Sequence, residues 1–139
     1  MKLVLDSSVA LKVALPEKDS DKAIALCGAF EQGAHELLAP DVFPIEAGHA
    51  LTKAERRGLI AIGQASILIA DLPIPEFHPS IPLLQRAIDI SSIFRVAVHD
   101  CLYVALAEQE HCDLLTADQR LLNSLRKDFS FLIDLADLP

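Results

Sequence analysis

The chain is short of cations. Twelve Lys and Arg stand against twenty Asp and Glu, a formal net charge of −8 over 139 residues. That balance excludes a protein that coats nucleic acid through its overall field, but it leaves room for one basic strip. Cysteine is scarce as well. Cys27, Cys101 and Cys112 are an odd number, and their spacing matches neither a zinc site nor a disulfide framework. Cys27 and Cys101 lie in apolar helical text and read as small core residues. Tryptophan is absent. No apolar run approaches the ~18 to 20 residues that span a bilayer. An acid at position 6 interrupts the opening Met-Lys-Leu-Val-Leu, so that segment is no secretion signal. Repeats, low-complexity tracts and linkers are missing too. These absences leave one domain over residues 1–139, expected in the cytoplasm and without a membrane partner.

Apolar residues are abundant: 52% of the chain, with a mean hydropathy of +0.35, dominated by Ala, Leu and Ile. A surplus of this size suggests a buried dimer interface or a groove for a partner. The text alternates strand-like and helix-like pieces. Residues 2–6 read as a short buried strand stopped by an acid, 8–14 as a helix broken by Pro16, and 20–32 as a helix capped by Asp19 or Ser20 and ended by Gly33. A weak strand at 36–39 precedes helices at 42–57 and 61–71. Pro73 and Pro75 bracket a short extended piece. Helices follow at 81–93 and 100–110, the second apolar almost all round and therefore deep in the core. A strand at 114–116, a helix at 118–127 and a strand at 131–133 complete the chain. Short apolar strands separated by helices predict a parallel sheet covered on both faces, with ligands outside the carboxyl ends of the strands.

Four acids sit in apolar surroundings where a charge is normally unwelcome: Asp6, Glu46, Asp100 and Asp118. Asp6 and Asp118 fall at or just past the carboxyl ends of predicted strands, where the architecture places a site. Each acid also has a plainer explanation. Asp6 can cap the helix that follows, although Ser7 serves equally; Asp118 stands at an N-cap position; Asp100 can cap its helix or answer its dipole. Glu46 has the weakest alternative, since it lies inside a helix. By 3.6-residue spacing it shares a face with His49, Ala50, Lys53 and Arg57. If the fold gathers all four acids, no set of basic residues beside them suffices to neutralise them. A hard divalent cation, Mg²⁺ or Mn²⁺, is then the natural counter-charge. Ser8 and Thr116 can bond a ligating carboxylate or act as caps. His49 and His99 lie near acids, but the five histidines share no zinc spacing. Tyr103 reads as core, its hydroxyl reaching a partner.

Four blocks of the sequence resemble the PIN-domain family, and within it the VapC-type toxin ribonucleases. They are Val4-Leu5-Asp6-Ser7-Ser8-Val9-Ala10-Leu11-Lys12, Glu46-Ala47 with Ala50-Leu51, His99-Asp100-Cys101-Leu102-Tyr103-Val104-Ala105-Leu106-Ala107-Glu108, and Leu115-Thr116-Ala117-Asp118-Gln119-Arg120-Leu121. They occur in the family's order and span most of the chain. The resemblance implies a three-layer α/β/α sandwich around a parallel sheet, with Asp6, Glu46, Asp100 and Asp118 as the acidic cluster. It implies Asp6 and Asp100 as direct Mg²⁺ ligands, a homodimer, and a cognate antitoxin whose tail covers the groove. Relatives often carry asparagine where this chain has His49.

The expected activity is that of an Mg²⁺-dependent endoribonuclease, with transfer RNA the substrate the family suggests. A basic strip of Lys12, Lys53, Arg56 and Arg57, with Arg95 as a further member, is expected to meet the RNA. The rival reading is a catalytically silent scaffold of the same fold that binds a partner protein or RNA. Phosphoryl-relay chemistry is disfavoured, because position 8 is serine where such phosphatases place a second acid.

Overall fold

Four of the five strands among the described residues carry a short apolar run, Leu3–Leu5, Leu37–Ala39, Leu114–Leu115 and Leu132–Ile133, each followed by an acid, threonine or proline; Glu76–His78 has none. The computed structural model describes residues 1–73 and 75–139. In chain order the elements are β1 (Lys2–Leu5), α1 (Ser7–Ala14), α2 (Ser20–Glu31), β2 (Glu36–Pro40), α3 (Phe43–Arg56), α4 (Gln64–Leu68), β3 (Glu76–His78), α5 (Ile81–Phe94), α6 (Val98–Glu110), β4 (Asp113–Thr116), α7 (Gln119–Leu125) and β5 (Leu132–Asp134). Single 3₁₀ turns follow at Ile69–Asp71 and Leu135–Asp137.

All strand pairings are parallel, in the order β3-β2-β1-β4-β5. The chain steps outward from β1 to β2 to β3, then jumps back across β1 to β4. Right-handed crossovers therefore put α1–α4 on one face of the sheet and α5–α7 on the other. In agreement, α6 packs on β1, β2 and β4, while α1 packs on α2 and α3. This is the expected three-layer α/β/α sandwich. The strand order reverses between β1 and β4, so the crevice at their carboxyl ends is the topological switch point where such sheets bind ligands.

Register ties the two central strands closely. Val4 lies opposite Leu114 and Leu5 opposite Leu115, all of them buried. The ladder runs one residue further, as the Asp6 N–H donates to the Leu115 carbonyl at 3.0 Å. Seven consecutive residues of α6, Cys101–Ala107, are buried. A helix can be apolar all round only when covered all round: α6 has the sheet on one side and α5 on the other.

Several boundaries differ from the sequence reading. The helix expected at 61–71 is one short helix and a 3₁₀ turn. Gly63 takes φ +93° just before α4, and Glu55 Oε1 accepts from the N–H groups of Gly63 and Ala65 at 3.1 and 2.8 Å. Strand β3 begins one residue after Pro75, whereas the extended piece expected between Pro73 and Pro75 falls on position 74, outside the described residues. Helix α6 starts at Val98 with Ala97 as N-cap, which moves Asp100 from a cap position into the first turn. Helix α3 ends at Arg56, leaving Arg57 as its C-cap.

Candidate active site

Four elements deliver the four acids to one place. Asp6 follows the last residue of β1 and occupies the N-cap position of α1, but its side chain makes no cap bond. Its Oδ2 instead accepts from the hydroxyls of Ser8 and Thr116, both at 2.7 Å. Each hydroxyl also accepts a backbone N–H: Ala117 to Ser8 Oγ and Asp118 to Thr116 Oγ1, both at 3.1 Å. Thr116 is fully buried and Asp6 is 5% exposed. The two hydroxyls lock the end of β1 to the end of β4 and fix one edge of the Asp6 carboxylate. Its Oδ1 has no hydrogen-bond donor among the described residues.

Asp118 does cap α7, its Oδ1 accepting from the N–H groups of Arg120 and Leu121. The cap and the site are therefore compatible, since Oδ2 lies outside the cap. Glu46 and Asp100 project from the first turns of α3 and α6, where the positive end of each helix dipole favours a carboxylate. Tyr103 donates its hydroxyl to Glu46 Oε1 at 2.5 Å. His99 Nδ1 lies 2.6 Å from Glu46 Oε2 and 3.4 Å from Asp100 Oδ1. All four acids line one open cleft of about 620 Å³, with Ser8, His49, Lys53 and His99 among its other walls.

The electrostatics follow from this crowding. Burial pushes the Asp6 carboxyl up to about 6, against the Thr116 and Ser8 hydrogen bonds and with the charges of Asp100 and Glu46 adding to it. Burial also raises Asp100, opposed by His99 and reinforced by Asp118 and Glu46. Burial alone would lower the His99 imidazole. The Glu46 hydrogen bond and the charges of Asp100, Glu46 and Asp6 outweigh it, and the net direction is up. Tyr103 is raised far above the phenol range, chiefly by burial and then by Asp6 and Glu46, so it remains a donor.

The donor set fits a hard divalent cation. Its free atoms are carboxylate oxygens, one of them on a nearly buried acid with no cation paired to it. Glu46, His99 and Asp100 offer ligand atoms within 4.8 Å of one another. Both oxygens of Glu46 are already engaged by protein donors, which suits it to a bridging or positioning part.

The basic residues expected beside the acids divide. Lys53 lines the cleft, on the same α3 face as Glu46, His49 and Ala50, as the helical spacing predicts. Lys12 turns away to Glu17, 3.1 Å distant, and lines another hollow with Lys18 and Asp134. Arg56 and Arg57 are at the far end of α3, about 15 Å of helix from Glu46, and do not line the cleft. His99 and Tyr103 were not in the expected acidic cluster. Their sequence signal was proximity to Asp100 by one and three residues, which says nothing about Glu46 on another helix.

Comparison with known proteins agrees with this architecture. The family model described as PIN domain matches residues 3–127. Ribonuclease VapC3 of Pyrobaculum aerophilum is 34% identical over 125 residues, which is 87% of this chain and 92% of that protein. Among solved structures, PAE2754 of Pyrobaculum aerophilum has a TM-score of 0.71 at 22% identity, covering 98% of this chain and 85% of its own. VapBC2 of Rickettsia felis, solved with a DNA fragment from its promoter, has a TM-score of 0.61 at 13% identity, covering 96% and 97%. At such identities the solved structures speak for the fold. The match over residues 3–127, together with the curated relative, establishes that this chain belongs to the PIN-domain family and is of the VapC type.

Proposed function

We propose that the chain is a metal-dependent endoribonuclease and the toxin of a toxin–antitoxin pair. The observation that carries this reading is the gathering of Asp6, Glu46, Asp100 and Asp118, spread over most of the sequence, on one cleft at the switch point of the sheet. A relative of similar length is named a ribonuclease, and one structural neighbour, from Klebsiella pneumoniae, is a toxin–antitoxin complex. Asp6 and Asp100 would hold Mg²⁺, or Mn²⁺ in its place, with Glu46 and Asp118 completing the set directly or through water. When bound, the ion supplies Lewis-acid polarisation of the scissile phosphate and offsets its developing charge.

The remaining work falls to the chain itself. Ser8 and Thr116 hold Asp6 Oδ2 and leave Oδ1 toward the cleft. Tyr103 and His99 hold Glu46. Asp118 Oδ2, outside the cap, is available to take a proton from the attacking water. Lys53 meets a backbone phosphate. Exposed Ile81, Leu84 and Ile88 form one stripe along α5 and give the homodimer its face; a monomeric mass by light scattering would remove that assignment. The cognate antitoxin covers the cleft, where Ile45 offers an exposed apolar contact.

The test is cleavage of an RNA panel that includes transfer RNA, with and without Mg²⁺ or Mn²⁺, followed by sequencing of fragment ends. Metal-dependent cuts at defined positions are expected from the wild type and none from Asp6→Asn. Full cleavage by that variant would exclude the mechanism.

A further inference from the structure

Asp100 and Asp118 line two clefts, not one. On one side they close the hollow that holds Asp6, Glu46 and Lys53. On the other they open into a second cleft of about 530 Å³, whose walls carry Arg95, Arg120, Asn123 and Ser124. The pair of aspartates is the saddle between them.

The second cleft is rich in donors that the protein does not use. Among the described residues, the side chains of Arg95, Arg120, Asn123 and Ser124 make no ion pair and no hydrogen bond. Arg86 and Arg126 are committed, whereas Arg56 and Arg57, unpaired as well among the described residues, lie at the far end of α3 and line neither cleft. Arg86 grips Glu108 with two bonds, at 2.7 and 3.0 Å, and Arg126 pairs with Asp137 at 2.9 Å. The charges that shift Asp100 are those of His99, Asp118 and Glu46; neither arginine of the cleft is among them. Positions 120, 123 and 124 are one turn apart on α7 and so share a face. The third wall is equally specific. Arg95 stands in the left-handed region, φ +58°, at the C-cap of α5, a position that glycine fills at least cost. The Arg95 N–H donates to the Ser91 carbonyl at 2.8 Å and Ser91 Oγ to the Val96 carbonyl at 2.6 Å, so the turn that presents the guanidinium is held at both ends.

Arg, Asn and Ser side chains are the usual contacts to phosphate and sugar oxygens. A chain with net charge −8 can hold a polyanion only through cations that are not already paired. We propose that this second cleft is a subsite for the RNA backbone, taking a phosphate next to the scissile one. The strand crosses the Asp100–Asp118 saddle, with the bond to be cut over the acids, Lys53 on one side and Arg95 with Arg120 on the other. The subsite rests on the ribonuclease reading and extends it to two residues of the second cleft.

The experiment compares Asp6→Asn with Asp6→Asn/Arg95→Gln/Arg120→Gln, so that bound RNA stays whole. Anisotropy of a fluorescent single-stranded RNA is read in Mg²⁺ buffer across a range of KCl. Loss of two phosphate contacts should weaken binding about tenfold near 0.1 M salt and lower the slope of log K against log salt by about 1.4. Mn²⁺ calorimetry on wild type and Arg95→Gln/Arg120→Gln should give the same affinity, which keeps the acids out of the result. An unchanged salt slope would overturn the subsite and leave the nuclease reading untouched. Absence of metal-dependent RNA cleavage by the wild type would instead overturn the nuclease reading and the subsite with it.

Discussion

Replacing Asp6 by asparagine should stabilise the metal-free protein while abolishing its proposed activity. The Asp6 carboxyl is 5% exposed and stands at about 6, against 3.8 for an unburied aspartate. Protonation is therefore favoured by folding. The stability that a protonated Asp6 contributes is fully present below about pH 4 and is lost as pH rises through about 6. At pH 7 and above the ionised group costs about 3 kcal/mol. The hydroxyl bonds from Ser8 and Thr116 are already contained in that value, because they oppose the rise. An asparagine Oδ1 can accept the same two hydroxyls and carries no charge. Asp6→Asn should then melt roughly 10 °C above wild type at pH 7.5 in EDTA. The gap should close by pH 4, where the wild-type acid is neutral. Calorimetric melts at several pH values read both effects. A variant no more stable than wild type at pH 7.5, or a gap independent of pH, would refute the claim that Asp6 is an uncompensated buried charge.

Other consequences follow from the same contacts. Mn²⁺ affinity should be weaker at pH 5.5 than at pH 7.5, by about fourfold from the Asp6 proton alone and further from Asp100, both carboxyls being raised above their ordinary values; equal affinities by calorimetry would contradict this. Thr116→Val removes a buried hydroxyl that donates to Asp6 and accepts from the Asp118 N–H. It should cost about 1 to 3 kcal/mol in urea unfolding and push the Asp6 carboxyl higher still. Tyr103→Phe keeps the ring in the core but frees Glu46 Oε1. RNA cleavage should show kcat reduced about tenfold with KM little changed, and a loss confined to KM would remove Tyr103 from the positioning of Glu46.

The parts legible in the sequence were those encoded locally. Strands β1 and β4 are apolar runs ended by Asp6 and, after Thr116 and Ala117, by Asp118. The same run-then-acid pattern marked both the strand and its candidate site. Strand β3 was not legible because Glu76-Phe77-His78 is a three-residue edge strand, partly exposed, without an apolar run. The shortened α4 depends on Glu55 reaching from the preceding helix, which no periodicity reveals. In the site the four acids were legible as misplaced charges. The tie between Glu46 and the pair His99 and Tyr103 spans more than fifty residues and exists only because α3 and α6 meet at their first turns. Lys12, expected in the basic strip, pairs with Glu17 five residues on and lines a different hollow from the acids.

The cluster is assembled by the fold and not by an ion. Asp6 is held by two hydroxyls, Glu46 by a phenol and an imidazole, and Asp118 by two backbone N–H groups. Each of these three acids is tied to the protein by contacts that need no cation. Asp100 is the exception, with only His99 at 3.4 Å among the described residues, and with Asp118 it is shared by both clefts. A site arranged in this way has met its ordering cost during folding, so a ligand gains the benefit of preorganised oxygens. Chelation should accordingly leave secondary structure and cooperative melting intact, unlike a structural zinc domain, whose fold depends on its metal. Loss of the far-ultraviolet circular dichroism signal in EDTA would show that the hydroxyl and backbone ties cannot hold like charges together unaided.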